Sequence, residues 1–218
     1  MKVAAVMFDL DGTLVDSLED LADAVNAMLG GFGKRALSKA EVCSLVGKGA
    51  RNLVQRALNT ESPADIELGL ELFMEFNSAH IADKSRLYSG VREALEALAK
   101  NSVRMAVISN KKETLCRLLL KALEVDSFFE AICGGDTFSE MKPSPFPLLK
   151  MAERFGVSPG EIVMIGDSIN DIEAGKIAGI TTIGCTWGYG GLEEMREADK
   201  LAASFSEIPG MVLRSEVR

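Results

Sequence analysis

The stretch "VAAVMFDLDGTLVDS", residues 3–17, decides how the rest of the chain reads. Its first half is apolar, as a buried strand should be. Asp9 and Asp11 then stand two residues apart, and Gly12 and Thr13 follow at once. Like charges gathered at the end of a buried strand are costly unless a cation binds beside them. A glycine there lets the backbone turn sharply and approach a ligand closely. The stretch therefore predicts a strand that ends at a charged site. It does not read as a signal peptide, because the aspartates interrupt its short apolar run.

Four more apolar runs have the same character: "RMAVISN" (104–110), "AICGGD" (131–136), "EIVMIGD" (161–167) and "TTIGC" (181–185). None alternates cleanly between apolar and polar, which suits strands buried on both faces of a parallel sheet. Helical patterns separate them: "VREALEALAK" (91–100), "KETLCRLLLKALE" (112–124), "PFPLLKMAERFG" (145–156) and "DIEAGKIAG" (171–179). "SPGE" (158–161) spells a capping box on a turn or a single helical turn. The alternation predicts an α/β fold with a Rossmann-like open parallel sheet and right-handed crossovers.

Residues 17–82 break that alternation and carry only helical patterns. "SLEDLADAVNAMLGGFG" opens at Ser17 as a predicted N-cap and sets Leu18, Leu21, Val25 and Met28 on one face. "SKAEVCSLVG" has Ser38 and Glu41 at capping-box spacing, and "ARNLVQRALN" and "ADIELGLELFMEFNSAH" follow. The expected organisation is a core of residues 1–16 and 83–218 with an inserted α-helical cap of residues 17–82. The links "LVD" (14–16) and "DKSRLYSG" (83–90) would form a hinge.

The 218 residues are 47% hydrophobic and 26% charged, an ordinary composition for a soluble globular chain. A net charge of -8 repels a phosphate backbone, so nucleic acid is not an expected partner. No apolar run reaches the ~20 residues of a membrane span, so no membrane association is expected. Cys43, Cys116, Cys133 and Cys185 are widely spaced, without a C-x-x-C, and read as free thiols in a reducing cytoplasm. His80, the single histidine, ends a helical pattern and reads as a solvated or capping residue. The oligomeric expectation is a monomer or a homodimer.

The chemistry emerges from what stands at the strands' C-terminal ends: Asp9 and Asp11; Ser109 and Asn110; Gly134, Gly135 and Asp136; Gly166 and Asp167. In an open α/β sheet the ligand crevice lies outside those ends. Each residue alone is a common cap or turn residue; four strand ends together predict a site. Oxygen-only ligands favour a hard ion such as Mg²⁺. Lys142, a hydroxyl and an amide complete the parts for phosphoryl transfer, and Gly12 would let backbone N–H groups approach a phosphate oxygen.

"DLDGT" (9–13), "VISN" (107–110), the Lys142 of "MKPSP" and "GDSIND" (166–171) resemble, in that order, the four motifs of the haloacid dehalogenase-like hydrolases. The insert matches the position of that family's C1-type cap, so the resemblance spans essentially the whole chain. Within the family, "VGKGARNLVQRAL" (46–58), "LYSGV" (87–91) and "GDSINDIEAGKIAG" (166–179) are most similar to phosphoglycolate phosphatases. The resemblance implies that Asp9 is the nucleophile. Asp11 would be the acid that protonates the leaving oxygen and the base that then activates water. Gly12, Ser109, Asn110 and Lys142 would serve the phosphate. Mg²⁺ would be held by Asp9, the Asp11 carbonyl and Asp167. Asp171 would act through a metal-bound water or by orienting Lys142; its other reading is a first-turn helix carboxylate.

The implied substrate is a small phosphorylated metabolite, 2-phosphoglycolate first. The alternatives are another such metabolite, a β-phosphoglucomutase-like phosphotransferase, or a catalytically silent binding protein. The mutases resemble D-x-D-G-V where this chain has Asp11-Gly12-Thr13. Two stretches depart from the family pattern, "FSEMKPSP" (138–145) and "CTWGYGG" (185–191). For the leaving group, "VGKGARN" (46–52) offers Gly47 for a tight loop, Lys48 and Arg51 as cations, and a helix N-terminus after Gly49.

Overall fold

The computed structural model describes residues 3–213. Strand β1 (Ala5–Phe8) is central in a six-stranded sheet with β4 (Arg104–Ile108), β5 (Ala131–Cys133), β6 (Ile162–Gly166), β7 (Thr181–Cys185) and β8 (Lys200–Ala202). The order is β5-β4-β1-β6-β7-β8, every pairing is parallel, and Ala5 is in register with both Arg104 and Ile162. All four residues of β1 are buried. Val6 and Phe8 pack into the larger core cluster with Leu95, Leu98, Leu119 and Phe205, while Ala5 and Met7 pack on the other face with Leu148, Met151 and Ala174. Burial on both faces explains the missing alternation.

Helices α5 (Val91–Lys100), α6 (Glu113–Ala122) and the C-terminal α9 (Ile208–Leu213) cover the first face; α7 (Phe146–Phe155) and α8 (Ile169–Ala178) cover the second. Residues 18–79 form α1 (Leu18–Gly31), α2 (Lys39–Cys43), α3 (Gly49–Leu58) and α4 (Pro63–Ala79). The expected face of Leu18, Leu21, Val25 and Met28 is buried, in a separate cluster with Leu53, Val54 and Phe73. Capping boxes form at Ser38–Glu41 and at Ser158–Glu161, the latter on a 3₁₀ turn. Ser17 stands at the N-cap of α1 but its side chain makes no cap bond.

Two features were not expected from the sequence. The sheet has a sixth strand, β8, whose three residues are too few to show a period. The two links to the helical insert pair with each other, β2 (Val15–Asp16) antiparallel to β3 (Arg86–Leu87). Buried Asp20 of α1 further accepts the N–H groups of Lys84 (3.1 Å) and Ser85 (2.7 Å) in the second link.

His80 ends α4, stacks on Phe76 at 4.4 Å and meets Asp83 through Nδ1 at 2.7 Å. The four cysteines are free, and all but Cys43 are buried. Among the described residues no helix is long and apolar enough to cross a membrane.

Candidate active site

The strands end before the polar residues quoted above, so those residues sit in loops just beyond the sheet. Asp9 follows β1 and still donates its N–H to Ile165 O of β6 (2.9 Å), which sets its side chain beside the loop after β6. There, Lys142 Nζ lies 2.9 Å from Asp9 Oδ1 and 2.6 Å from Asp171 Oδ1. Asp171 Oδ2 accepts from Ser168 N (3.1 Å) and Oγ (2.8 Å), closing a capping box on α8. Asp171 is thus a first-turn helix carboxylate and a Lys142 partner at once. Asp167 Oδ1 accepts from Thr13 Oγ1 (2.8 Å), and Oδ2 from Tyr189 N (2.7 Å).

Asp9, Asp167 and Asp171 each offer a carboxylate oxygen, and these lie within 4.8 Å of one another. Against three carboxylates stands one lysine. Burial pushes the Asp9 carboxyl up to about 6, with Lys142 opposing it. Burial, then the charges of Asp9 and Asp171, push Asp167 up to about 7. Burial alone would lower the Lys142 ammonium, but the Asp171 and Asp9 charges prevail and hold it above its ordinary value. A cluster that disfavours its own ionisation, built only of oxygens, fits a hard divalent cation.

The Asp11 carboxylate stands apart from this trio. Both its oxygens lie 3.2 Å from Lys111 Nζ, and Oδ1 accepts from Ser17 Oγ at 2.5 Å. Gly12 has φ +89°, and a Cβ there would sit 2.3 Å from Asp167 Oδ2, so the close approach of the two loops requires glycine. Its own N–H is donated to Val15 O at 2.8 Å, which leaves Gly12 a role of clearance. Asp9, Asp11, Ser109, Lys142 and Asp167 line the floor of a cleft of about 610 Å³, and the helical insert supplies its roof.

The sequence model of the haloacid dehalogenase-like hydrolases matches residues 6–185. This chain belongs to the haloacid dehalogenase-like hydrolase family. It is similar to a phosphoglycolate phosphatase of Neisseria meningitidis, 42% identical over 90% of this chain and 86% of the relative. A phosphoglycolate phosphatase of Chromobacterium violaceum is 41% identical over 86% of each chain. Among solved structures, a predicted phosphoglycolate phosphatase from Haemophilus somnus superposes with a TM-score of 0.93 at 32% identity, covering 97% of this chain and 98% of its own.

In this haloacid dehalogenase-like hydrolase the expected site residues fall into three groups. Asp9, Asp11, Ser109, Lys142 and Asp167 meet in the cleft with Gly47 and Lys48 of the insert. Asn110 lines the cleft too, but its amide donates to Gly47 O (3.0 Å) and Lys142 O (2.8 Å). The side chain expected to face phosphate instead ties the insert to the core. Gly134, Gly135 and Asp136 are not part of the cleft lining. Asp136 accepts the Glu113 N–H (2.8 Å) at the start of α6, and Cβ atoms on the two glycines would collide with the loop at Asn110–Glu113. Arg51 is an exposed partner of Glu67 and does not line the cleft, whereas Arg56, on the same helix, does.

Four contributors went unassigned from sequence: Thr13, Lys111, Asn170 and Tyr189. Asn170 Nδ2 joins Asn110 in donating to Gly47 O, at 3.2 Å. Lys111 directly follows "VISN", and Tyr189 follows a fifth strand end, β7; the rule that sites gather at strand ends reaches both.

Proposed function

We propose that this chain is a Mg²⁺-dependent phosphatase of small phosphate monoesters, with 2-phosphoglycolate as its leading substrate. The observation that carries the reading is the floor of the cleft. One carboxylate, Asp9, is held by Lys142 within a metal-fitting trio, and a second, Asp11, is held separately by Lys111 and Ser17. Two carboxylates in unlike environments suit two unlike tasks. Asp9 attacks phosphorus and the ester oxygen leaves with a proton from Asp11. Asp11 then takes a proton from water, which attacks the aspartyl-phosphate, frees phosphate and regenerates Asp9.

Mg²⁺ would be held by Asp9, the Asp11 carbonyl and Asp167, and would supply charge neutralisation at the phosphoryl oxygens. Lys142 neutralises Asp9 and the incoming phosphate, with Asp171 orienting it. Ser109 bounds the phosphate pocket, and Asn110 keeps the roof in place. The core of residues 1–16 and 83–218 reads phosphate; the cap of residues 17–82 reads the rest of the ester. The phosphoglycolate phosphatases among its relatives support glycolate as that rest, and Lys48 and Arg56 are the cap cations at hand for its carboxylate, Lys48 first. Free thiols suit a cytoplasmic enzyme.

Phosphate release from a panel of monoesters, with Mg²⁺ and with EDTA, tests this. Turnover that EDTA abolishes and Mg²⁺ restores is expected, with the highest kcat/KM on 2-phosphoglycolate. No turnover of any ester would sink the enzymatic reading; a better substrate in the panel would overturn the named one only.

A further inference from the structure

We propose that Tyr189 is a positioning residue for Asp11: its phenol fixes Ser17, and the Ser17 hydroxyl fixes the Asp11 carboxylate for proton transfer. This rests on the reading of Asp11 as the acid and base of a phosphatase.

Three serines of this chain stand at helix N-caps in the insert, and they do not behave alike. Ser38 (ψ 159°) and Ser62 (ψ 115°) are extended, and their hydroxyls accept the N–H of Glu41 and of Asp65. That is the ordinary geometry of a capping serine. Ser17 has φ -108° and ψ 4° and makes no side-chain cap bond. Its hydroxyl donates to Asp11 Oδ1 at 2.5 Å instead. What holds Ser17 in this other conformation is visible in its surroundings. Its N–H donates to Tyr189 Oη at 2.7 Å, and the residue is 2% exposed, so water does not offer that N–H a substitute.

Tyr189 is itself firmly placed. Its phenol donates onward to Asp16 Oδ1 at 3.1 Å. Its backbone N–H is fixed on Asp167 Oδ2, and Cβ atoms on the flanking Gly188 and Gly190 would come within 2.3 and 1.9 Å of Asp167. Trp187 Nε1 donates to Thr13 O at 3.1 Å. The loop is thus seated on the floor of the cleft while its tyrosine reaches the first link to the cap. This is the "CTWGYGG" stretch that departs from the family pattern, and Tyr189 lies beyond the span matched by the family model.

The test uses substituted phenyl phosphates, which change leaving-group acidity at nearly constant shape. A misplaced general acid hurts poor leaving groups most. In Tyr189→Phe the kcat/KM ratio of p-nitrophenyl to phenyl phosphate should widen roughly tenfold over the wild type, within the ~100-fold that misplacing a group can cost. Ser17→Ala, which removes no cap bond, should widen it similarly, and it decides alone should Tyr189→Phe fail to fold. The double variant should be no worse than Ser17→Ala, because the two act in one chain of contacts. A merely structural role would lower kcat/KM equally for both esters, and an unchanged ratio overturns the proposal. Asp11→Asn separates the two levels. If it widens the ratio while the other variants do not, Tyr189 alone is wrong. If it leaves the ratio unchanged, the reading of Asp11 falls and takes this proposal with it.

Discussion

The floor and the roof of the cleft are built on opposite plans. On the floor each carboxylate is paired: Asp9 and Asp171 with Lys142, Asp11 with Lys111 and Ser17, Asp167 with Thr13 and Tyr189. On the roof Leu21, Val46, Leu53 and Phe73 present apolar surface, and neither Lys48 nor Arg56 has an ion pair among the described residues. A preorganised floor acts on charge that is the same in every phosphate ester. A roof with two cations free of ion pairs acts on what differs between esters. Damage to the floor groups that meet phosphate and metal should therefore be large and indifferent to substrate, damage around Asp11 should follow leaving-group acidity, and damage to the roof should be small and selective for the rest of the ester.

The largest effect is expected for Asp9→Asn, which keeps the volume and removes the proposed nucleophile. Activity should fall to less than about a hundredth on every ester, given how slow the uncatalysed reaction is, with the melting temperature close to wild type. Substantial residual turnover would rule out covalent catalysis by Asp9. Next comes Lys142→Ala, at roughly 10²–10³ in kcat by analogy with removing one preorganised donor. It also strands the fully buried Asp171, so a lower melting temperature should accompany it. A loss confined to one ester would contradict the division between floor and roof.

Third is the response to metal. The folded Asp9 and Asp167 carboxyls are raised from 3.8 to about 6 and about 7. A raised folded pKa favours the protonated fold, so the stability these groups contribute is present below about pH 4 and lost as pH climbs through 6 and 7. A divalent cation binds the ionised form and offsets that loss. The rise in melting temperature on adding Mg²⁺ should therefore be large at pH 8 and small at pH 5. Equal increments at both pH values would mean that the metal binds elsewhere.

The roof gives the smallest effects. Lys48→Met should lower kcat/KM for 2-phosphoglycolate about tenfold, the order of one charge-assisted contact, and leave p-nitrophenyl phosphate nearly unchanged. Arg51→Met should move neither by more than about twofold, since it breaks only an exposed pair with Glu67. A selective loss in Arg51→Met would mean that the roof rearranges when substrate binds.

Which parts of this were readable beforehand follows from the physics of each signal. β1, β4, β6 and β7 announce themselves because burial on both faces gives an unbroken apolar run. β8 and the β2–β3 pair rest on two or three residues each, and their hydrogen bonds are made with partners far away in sequence. That Asp9 and Asp167 would lie close together follows from the strand-end rule, which needs only topology; Lys142 lies well beyond the end of β5 and is picked out by the motif resemblance instead. That Arg51 falls outside the cleft lining could not be read from topology, which does not give a helix its rotation. Arg51 and Arg56 differ by five positions, about 140° around the axis, and only packing of α3 on α1 and α4 decides which of them meets the cleft. Asn110 was found but its partner was not, since a side chain's choice between a ligand and a neighbouring carbonyl depends on where Gly47 arrives.

The pairing of β2 with β3 bears on how such a molecule is assembled as a design. Val15 and Leu87 are neighbours across an antiparallel rung, as are Asp16 and Arg86. The chain thus leaves the core and re-enters it at nearly the same point. Topologically, everything between those rungs is an oversized hairpin loop. Such a loop can lengthen, shorten or be exchanged wholesale without altering the order of a single strand beneath it. The catalytic floor is a fixed socket, and the roof is an interchangeable fitting.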